Sequence, residues 1–320
     1  MSTDTDTAAE ERASRGLIDR LRASPFLSEL LSNRLAVFGL LIILAMVLTA
    51  LYSRIFLDVE AISDTALSSN PQLAGPCGQR TLTGALGNAG SCAHPFGTDI
   101  QARDVFLRTQ YGAWLALKYG TVTVAASTTL GVGLGIVAAY YGGWVDNVIM
   151  RTMDVLLSFP SLLLALALVA IFGVGLWKAV FALTLVYTPR FARVVRGAAL
   201  KVLEDEYIDA SVALGARDSR VIVRHVLPNS LAPITVQSTL NFGLAIIDLA
   251  ALSFLGFGAQ AGTPSWGLML SNGVRNGLLA GVWWWSFFPG LFLAVTVLGF
   301  NLLGDGMRDA LDPRMREAVD

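Results

Sequence analysis

The sequence predicts an all-α integral membrane protein with six transmembrane helices and both termini in the cytoplasm. Three observations carry that reading. Charged residues make up only 15% of the 320, while 54% are hydrophobic; a soluble domain carries about 25% charge to cover its surface. The charges are also far apart, leaving uncharged runs over 35–53, 119–145, 155–177, 226–247, 249–274 and 276–304. A helix needs roughly 20 apolar residues to cross the hydrocarbon core. The runs are continuous, not alternating, and lipid tolerates only helices or closed barrels, so helices are expected. Third, with the N-terminus inside, 16 of the 23 Lys and Arg fall on inner segments and 7 on outer ones. Such a bias marks cytoplasmic loops. The expected location is the cytoplasmic (inner) membrane, as a multi-pass protein.

Residues 1–34 read as a cytoplasmic tail. Within it, 17–31 carries Leu17, Ile18, Leu21, Phe26, Leu27, Leu30 and Leu31, with Ser24 as N-cap and Pro25 as first helical residue. This is either an amphipathic helix lying on the inner face or a solvated linker. A signal peptide is disfavoured, because the polar lead of 34 residues is too long. The first span covers 35–55. Residues 56–112 then form the largest extracytoplasmic segment, rich in Gly, Ser, Asn and Pro at its centre. Cys77 and Cys92 both lie there, on the oxidising side. A disulfide between them would contribute about 3 kcal/mol by closing a loop of that length; two unpaired thiols is the alternative. Their spacing with His94 matches no common zinc pattern, and no metal site is expected.

Residues 113–308 form a core of five further spans, at about 114–141, 152–172, 176–197, 230–257 and 286–306. Gly131 and Gly135 share one face of the second and permit close helix packing. Gly173 and Gly175 make a tight hairpin into the fourth. That span has only eleven uncharged residues between Lys178 and Arg190, and is expected to cross by snorkelling of those two chains toward opposite interfaces. Its successor ends near Phe257, because Gly256, Gly258, Gly262, Pro264, Gly267 and Gly273 break any longer helix. Residues 258–285 are read as a loop, in part re-entrant. Residues 309–320 form a cytoplasmic tail.

The inner segment 198–228 is the longest polar stretch between two spans. Glu204–Leu214 can form a helix that Gly215 caps in the left-handed region. Asp218 or Ser219 can cap a second helix, running to Val226 and ended by Pro228. The result is a compact knob and not a flexible linker.

Several activities are excluded. There is no G-x-x-x-x-G-K-[ST] loop, so the chain does not hydrolyse nucleotide alone; G-x-S-x-G and H-E-x-x-H are also missing. A net charge of −1 provides no basic field for nucleic acid. No acid, base and nucleophile converge on the spans, so an enzyme is not expected. Asp248 lies well inside a span, where an ionised group is costly. It either lines a translocation path or bonds a neighbouring helix for packing, and both readings stand.

Tyr207-Ile208-Asp209-Ala210-Ser211-Val212-Ala213-Leu214-Gly215, followed by His225-Val226-Leu227-Pro228-Asn229, resembles the EAA loop of ATP-binding-cassette (ABC) importer permeases. The chain looks like the second permease subunit of the dipeptide/oligopeptide/nickel importer family. Further matches are His94-Pro95-Phe96-Gly97-Thr98-Asp99, Arg103-Asp104-Val105-Phe106, Leu252-Ser253-Phe254-Leu255-Gly256, Pro264-Ser265-Trp266-Gly267, Phe300-Asn301-Leu302-Leu303-Gly304-Asp305-Gly306 and Asp309-Ala310-Leu311-Asp312-Pro313-Arg314. The resemblance covers about 25–315. There are departures. The EAA glutamate is Asp209, the second alanine is Ser211, Ala102 stands where the family often has Gly, and Leu249 takes an acidic position that Asp248 precedes.

The resemblance implies a type I ABC importer permease fold and a homologous second permease, together forming the path. It also implies two ABC ATPase subunits that bind ATP and Mg, with no cofactor in this chain, and an extracytoplasmic substrate-binding protein. Lipid surrounds the spans. Asp209, Ala210, Ser211, Gly215, His225, Leu227 and Pro228 would receive the motion of the ATPases. Peptide, nickel and sugar-like cargoes stay open. The runner-up is a stand-alone, ion-coupled secondary transporter.

Overall fold

The computed structural model describes residues 25–63, 70–77, 90, 92–277 and 281–311. The lead with Leu17, Ile18, Leu21 and Ser24, the middle of the outer segment, and the end of the tail with Asp312, Pro313 and Arg314 lie outside the described residues. In chain order the helices are α1 (Pro25–Ser32), α2 (Arg34–Phe56), α3 (Val59–Ser63), α4 (Val105–Tyr141), α5 (Gly143–Leu157), α6 (Ser161–Phe172) and α7 (Leu176–Leu203). They continue with α8 (Glu206–Ala213), α9 (Asp218–Val221), α10 (Leu227–Asn229), α11 (Leu231–Phe254), α12 (Trp266–Asn272) and α13 (Trp284–Leu311). Among the described residues the only β-type pairing is one bridge between Thr98 and Asp104.

The expected six spans resolve unevenly. Among the described residues four helices, α2, α4, α11 and α13, are long and apolar enough to cross a membrane. The third expected span, 152–172, is not one helix: α5 and α6 meet at a bend of 94° and form a broken span or a re-entrant loop. Pro160 explains the break, because it lacks an N–H to continue α5 and pushes Phe159 away from helical geometry. α7 runs for 28 residues and continues six beyond its expected end. Lys178, Arg190, Arg193, Arg196 and Lys201 make it too charged to qualify as a span by composition. Arg190 sits about 21 Å along α7 from Leu176, against a hydrocarbon thickness of roughly 30 Å.

α4 begins at Val105, nine residues before the expected start. Asp104 is the reason: its Oδ1 accepts from the Phe106 and Leu107 amides at 2.7 and 3.2 Å, capping orphan donors of the first turn. The loop expected over 258–285 contains α12, whose Trp266, Gly267, Met269 and Ser271 are buried. α1 and the first turn of α2 pack on α13 through Leu30, Ala36 and Ala310.

The core lies where α4, α6, α7 and α11 meet, with Ala165, Val169, Ala179, Leu183, Tyr187 and Leu252 fully buried. α4 lies along α7 at very short range. A Cβ on Gly135 would stand 2.5 Å from the Ala192 carbonyl oxygen, and one on Gly131 2.8 Å from that of Thr188. Only glycine permits that approach. A second apolar cluster joins Ile136, Val195, Ile208, Val221, Val226 and Ile234. It seats the inner segment on the ends of α4 and α7.

Candidate coupling site

The segment between α7 and α11 is a folded knob. Glu206 and Asp209 lie in the first turn of α8, where carboxylates complement the helix dipole. Ile208, 3% exposed, anchors α8 to the second cluster. Gly215 has φ +83°, a left-handed conformation that costs other residues roughly 1–2 kcal/mol, and it turns the chain from α8 toward α9.

Beyond the elbow two expectations change. The N-cap position of α9 is Arg217, with no side-chain cap, so neither Asp218 nor Ser219 caps it. Pro228 does not end the helical run either. Residues Ile222–Val226 form a π turn, and the Leu227 amide donates to the carbonyl five residues back, on Ile222. That wider turn accommodates the proline ring, which would otherwise press on the carbonyl of the preceding turn. The chain then passes through α10 and Ser230 directly into α11.

Of the residues expected to receive motion, the structure brings Ser211, Gly215 and His225 onto one groove of 290 Å³, shared with Leu214, Ala216, Arg220 and Arg224. Asp209, Ala210 and Pro228 are exposed but lie away from it, and Leu227 is half-buried in the second cluster. Leu214 is 89% exposed at the tip. Arg217, Arg220 and Arg224 line an adjoining groove of 630 Å³.

Sequence reasoning missed the bonds that stiffen this knob. Asn229 Nδ2 donates to the Tyr207 hydroxyl at 3.0 Å and to the His225 carbonyl at 2.8 Å. The Tyr140 hydroxyl, at the end of α4, donates to Asp218 at 3.0 Å. Arg196 on α7 clasps Asp146 on α5 with two bonds, of 2.5 and 2.6 Å. Arg193 reaches Asp154 at 2.6 Å. The available signal was opposite charges at the inner ends of consecutive spans.

Elsewhere, the Tyr187 hydroxyl donates to Asp248 at 2.6 Å, which joins α7 to α11. On the outer side the sulfurs of Cys77 and Cys92 are bonded, with Cα atoms 4.3 Å apart. Beside them His94 Nδ1 meets Asp104 at 2.7 Å, and Asp99 holds Arg103 at 2.7 Å. Among the described residues no cluster of His, Cys, Asp or Glu has a metal-binding arrangement.

Residues 131–317, which contain the whole knob, match the family described as binding-protein-dependent transport system inner membrane component. The chain belongs to this family. It is 43% identical over 290 residues to the dipeptide transport system permease protein DppC of Alkalihalophilus pseudofirmus, covering 90% of this chain and 88% of the relative. It is 43% identical over 231 residues to the glutathione transport system permease protein GsiD of Pectobacterium atrosepticum, covering 72% and 76%. The fold resembles a chain of the MetNI methionine ABC transporter in an inward-facing conformation. The TM-score is 0.52 at 20% identity, over 68% of this chain and 96% of the other. The permease is a subunit of an ABC importer in the cell membrane, which sets aside the secondary transporter. Family membership implies, in general, a partner permease, ATPases and a binding protein.

Proposed function

We propose that this permease forms half of the translocation path of a peptide importer, with dipeptides or short oligopeptides as cargo. The work of ATP hydrolysis would enter through residues 198–228. The single observation that carries this reading is the knob itself: an exposed tip at Leu214 on a buried base of Ile208, Val221 and Val226. A tip fixed that firmly passes rigid-body movement to α7 and α11, which continue directly from it. The relatives named for dipeptide and glutathione transport support a peptide cargo.

ATP and Mg would bind on two partner ATPases, since this chain carries no phosphate loop of its own. Leu214, which shares a groove with Arg220 and Arg224, suits an apolar pocket with an acidic rim on such a partner. A second, homologous permease would complete the path, and an extracytoplasmic binding protein would deliver cargo. Asp209, Ala210, Ser211, Gly215, His225, Leu227 and Pro228 would form the receiving surface and its base. Asp248 would lie on the path.

Reconstitution tests this. The permease, its partner permease, both ATPases and the binding protein are placed in liposomes with labelled dialanine outside. ATP-dependent accumulation is expected. Accumulation driven by an ion gradient without ATPases, or none in the complete system, overturns the reading.

A further inference from the structure

Asp248 on α11 and Arg190 on α7 carry charge on two packed helices of the membrane core. Asp248 lies six residues, about 9 Å, below the outer end of α11, and Arg190 lies on α7 about 21 Å from its outer end. Both are half-buried. They do not form an ion pair, although Arg190 is within electrostatic reach of Asp248. Tyr187 stands between them. Its hydroxyl holds one oxygen of Asp248 at 2.6 Å, and the Arg190 guanidinium lies 5.5 Å from the centre of its ring. Among the described residues Arg190 makes no hydrogen bond, and the second Asp248 oxygen accepts none. A charged group in this setting is costly and marks a functional group by default.

Both charges lie on helices that continue toward the inner side. Arg190 is one turn above Val194 on α7, and Asp248 is three turns above Gln237 on the same face of α11. Val194 and Gln237 both line a groove of 470 Å³ that opens near Arg308 and Leu311.

We propose that Arg190 and Asp248, held apart by Tyr187, form a station inside the membrane for a zwitterionic solute. The free Asp248 oxygen would accept from a terminal ammonium, while the guanidinium would donate to a terminal carboxylate as a planar fork. A protein ion pair would have cancelled both charges. The tyrosine spacer keeps each available for the opposite end of one small molecule. This rests on the reading of the chain as a peptide permease, and it names both cargo termini as what the path recognises.

The test uses the complete reconstituted importer and labelled dialanine. Asp248→Asn and Arg190→Gln are each expected to lower uptake about tenfold, the scale of one charge-assisted hydrogen bond, while assembly and ATP hydrolysis persist. Tyr187→Phe removes the helix-to-helix bond but keeps both charges and the ring between them, and is expected to lower uptake less than Asp248→Asn does. Unchanged uptake in both charge variants overturns the station. So does a loss in Tyr187→Phe as deep as in Asp248→Asn, because Asp248 would then act only as a helix tie. If Asp248→Asn fails to assemble, Arg190→Gln alone decides by the same readout. Wild-type importer that takes up no dialanine would instead overturn the peptide reading itself.

Discussion

Asn229 bonds the hydroxyl of Tyr207 at 3.0 Å, and so ties the end of the inner segment to its first helix across 22 residues. The same amide holds the His225 carbonyl at 2.8 Å. One side chain thereby closes the knob into a ring. Asn229→Ala should leave insertion intact while loosening α8 from α10 by about 1 kcal/mol. In the reconstituted importer, transport per ATP hydrolysed is expected to fall. An unchanged ratio would show that the ring plays no part in transmitting motion.

Gly215 supplies a sharper test than bulk alone. A Cβ at this position meets nothing within 4 Å, so space is not the constraint. The constraint is φ +83°. Gly215→Val should therefore uncouple transport from ATP hydrolysis, because a β-branched residue resists the left-handed region. Gly215→Asn, which tolerates that region, is expected to retain most uptake. Equal loss in both variants would point to a steric contact with the partner instead.

The clasp of Arg196 on Asp146 fastens α5 to α7 with two bonds from one guanidinium. Side-chain exposures of 33% and 19% make it partly screened. Its loss in Arg196→Ala is expected to cost only about 1 kcal/mol. Arg196→Lys should lose nearly as much, since an ammonium cannot form the fork. A double-mutant cycle with Asp146→Asn, read from thermal unfolding in detergent, isolates the pair. A coupling energy of zero would remove the clasp from the list of stabilising contacts.

Ala102 holds φ +59° in the turn between Asp99 and Asp104, and it is nearly buried. Non-glycine residues pay roughly 1–2 kcal/mol for that region, part of which a glycine returns through its freer unfolded chain. Ala102→Gly is thus expected to raise stability by about 0.5 kcal/mol, seen as a small rise in the unfolding midpoint. A fall would mean that the methyl group's packing outweighs the backbone strain.

Much of this protein follows from its sequence by itself. Low charge, and the spacing of what charge remains, locate the apolar helices α2, α4, α11 and α13 to within a few residues at most ends. The start of α4 is the exception. Asp104 sets that start by a local cap, a detail that hydropathy does not register. The small face at Gly131 and Gly135 and the elbow at Gly215 were also legible, because the absence of a Cβ is a property of one position.

Tertiary structure decided the pairings. Asp146 and Arg196 are 50 residues apart in sequence and Tyr187 and Asp248 are 61 apart. Whether such groups meet depends on how each helix is rotated and how deep it sits. Helical periodicity assigns a residue to a face, but it leaves open which neighbouring helix that face meets. The same reason explains Arg190, which the charge pattern alone assigns to an interface. The packing of α7 against its neighbours puts it beside Tyr187, over whose ring its guanidinium lies, and within reach of Asp248.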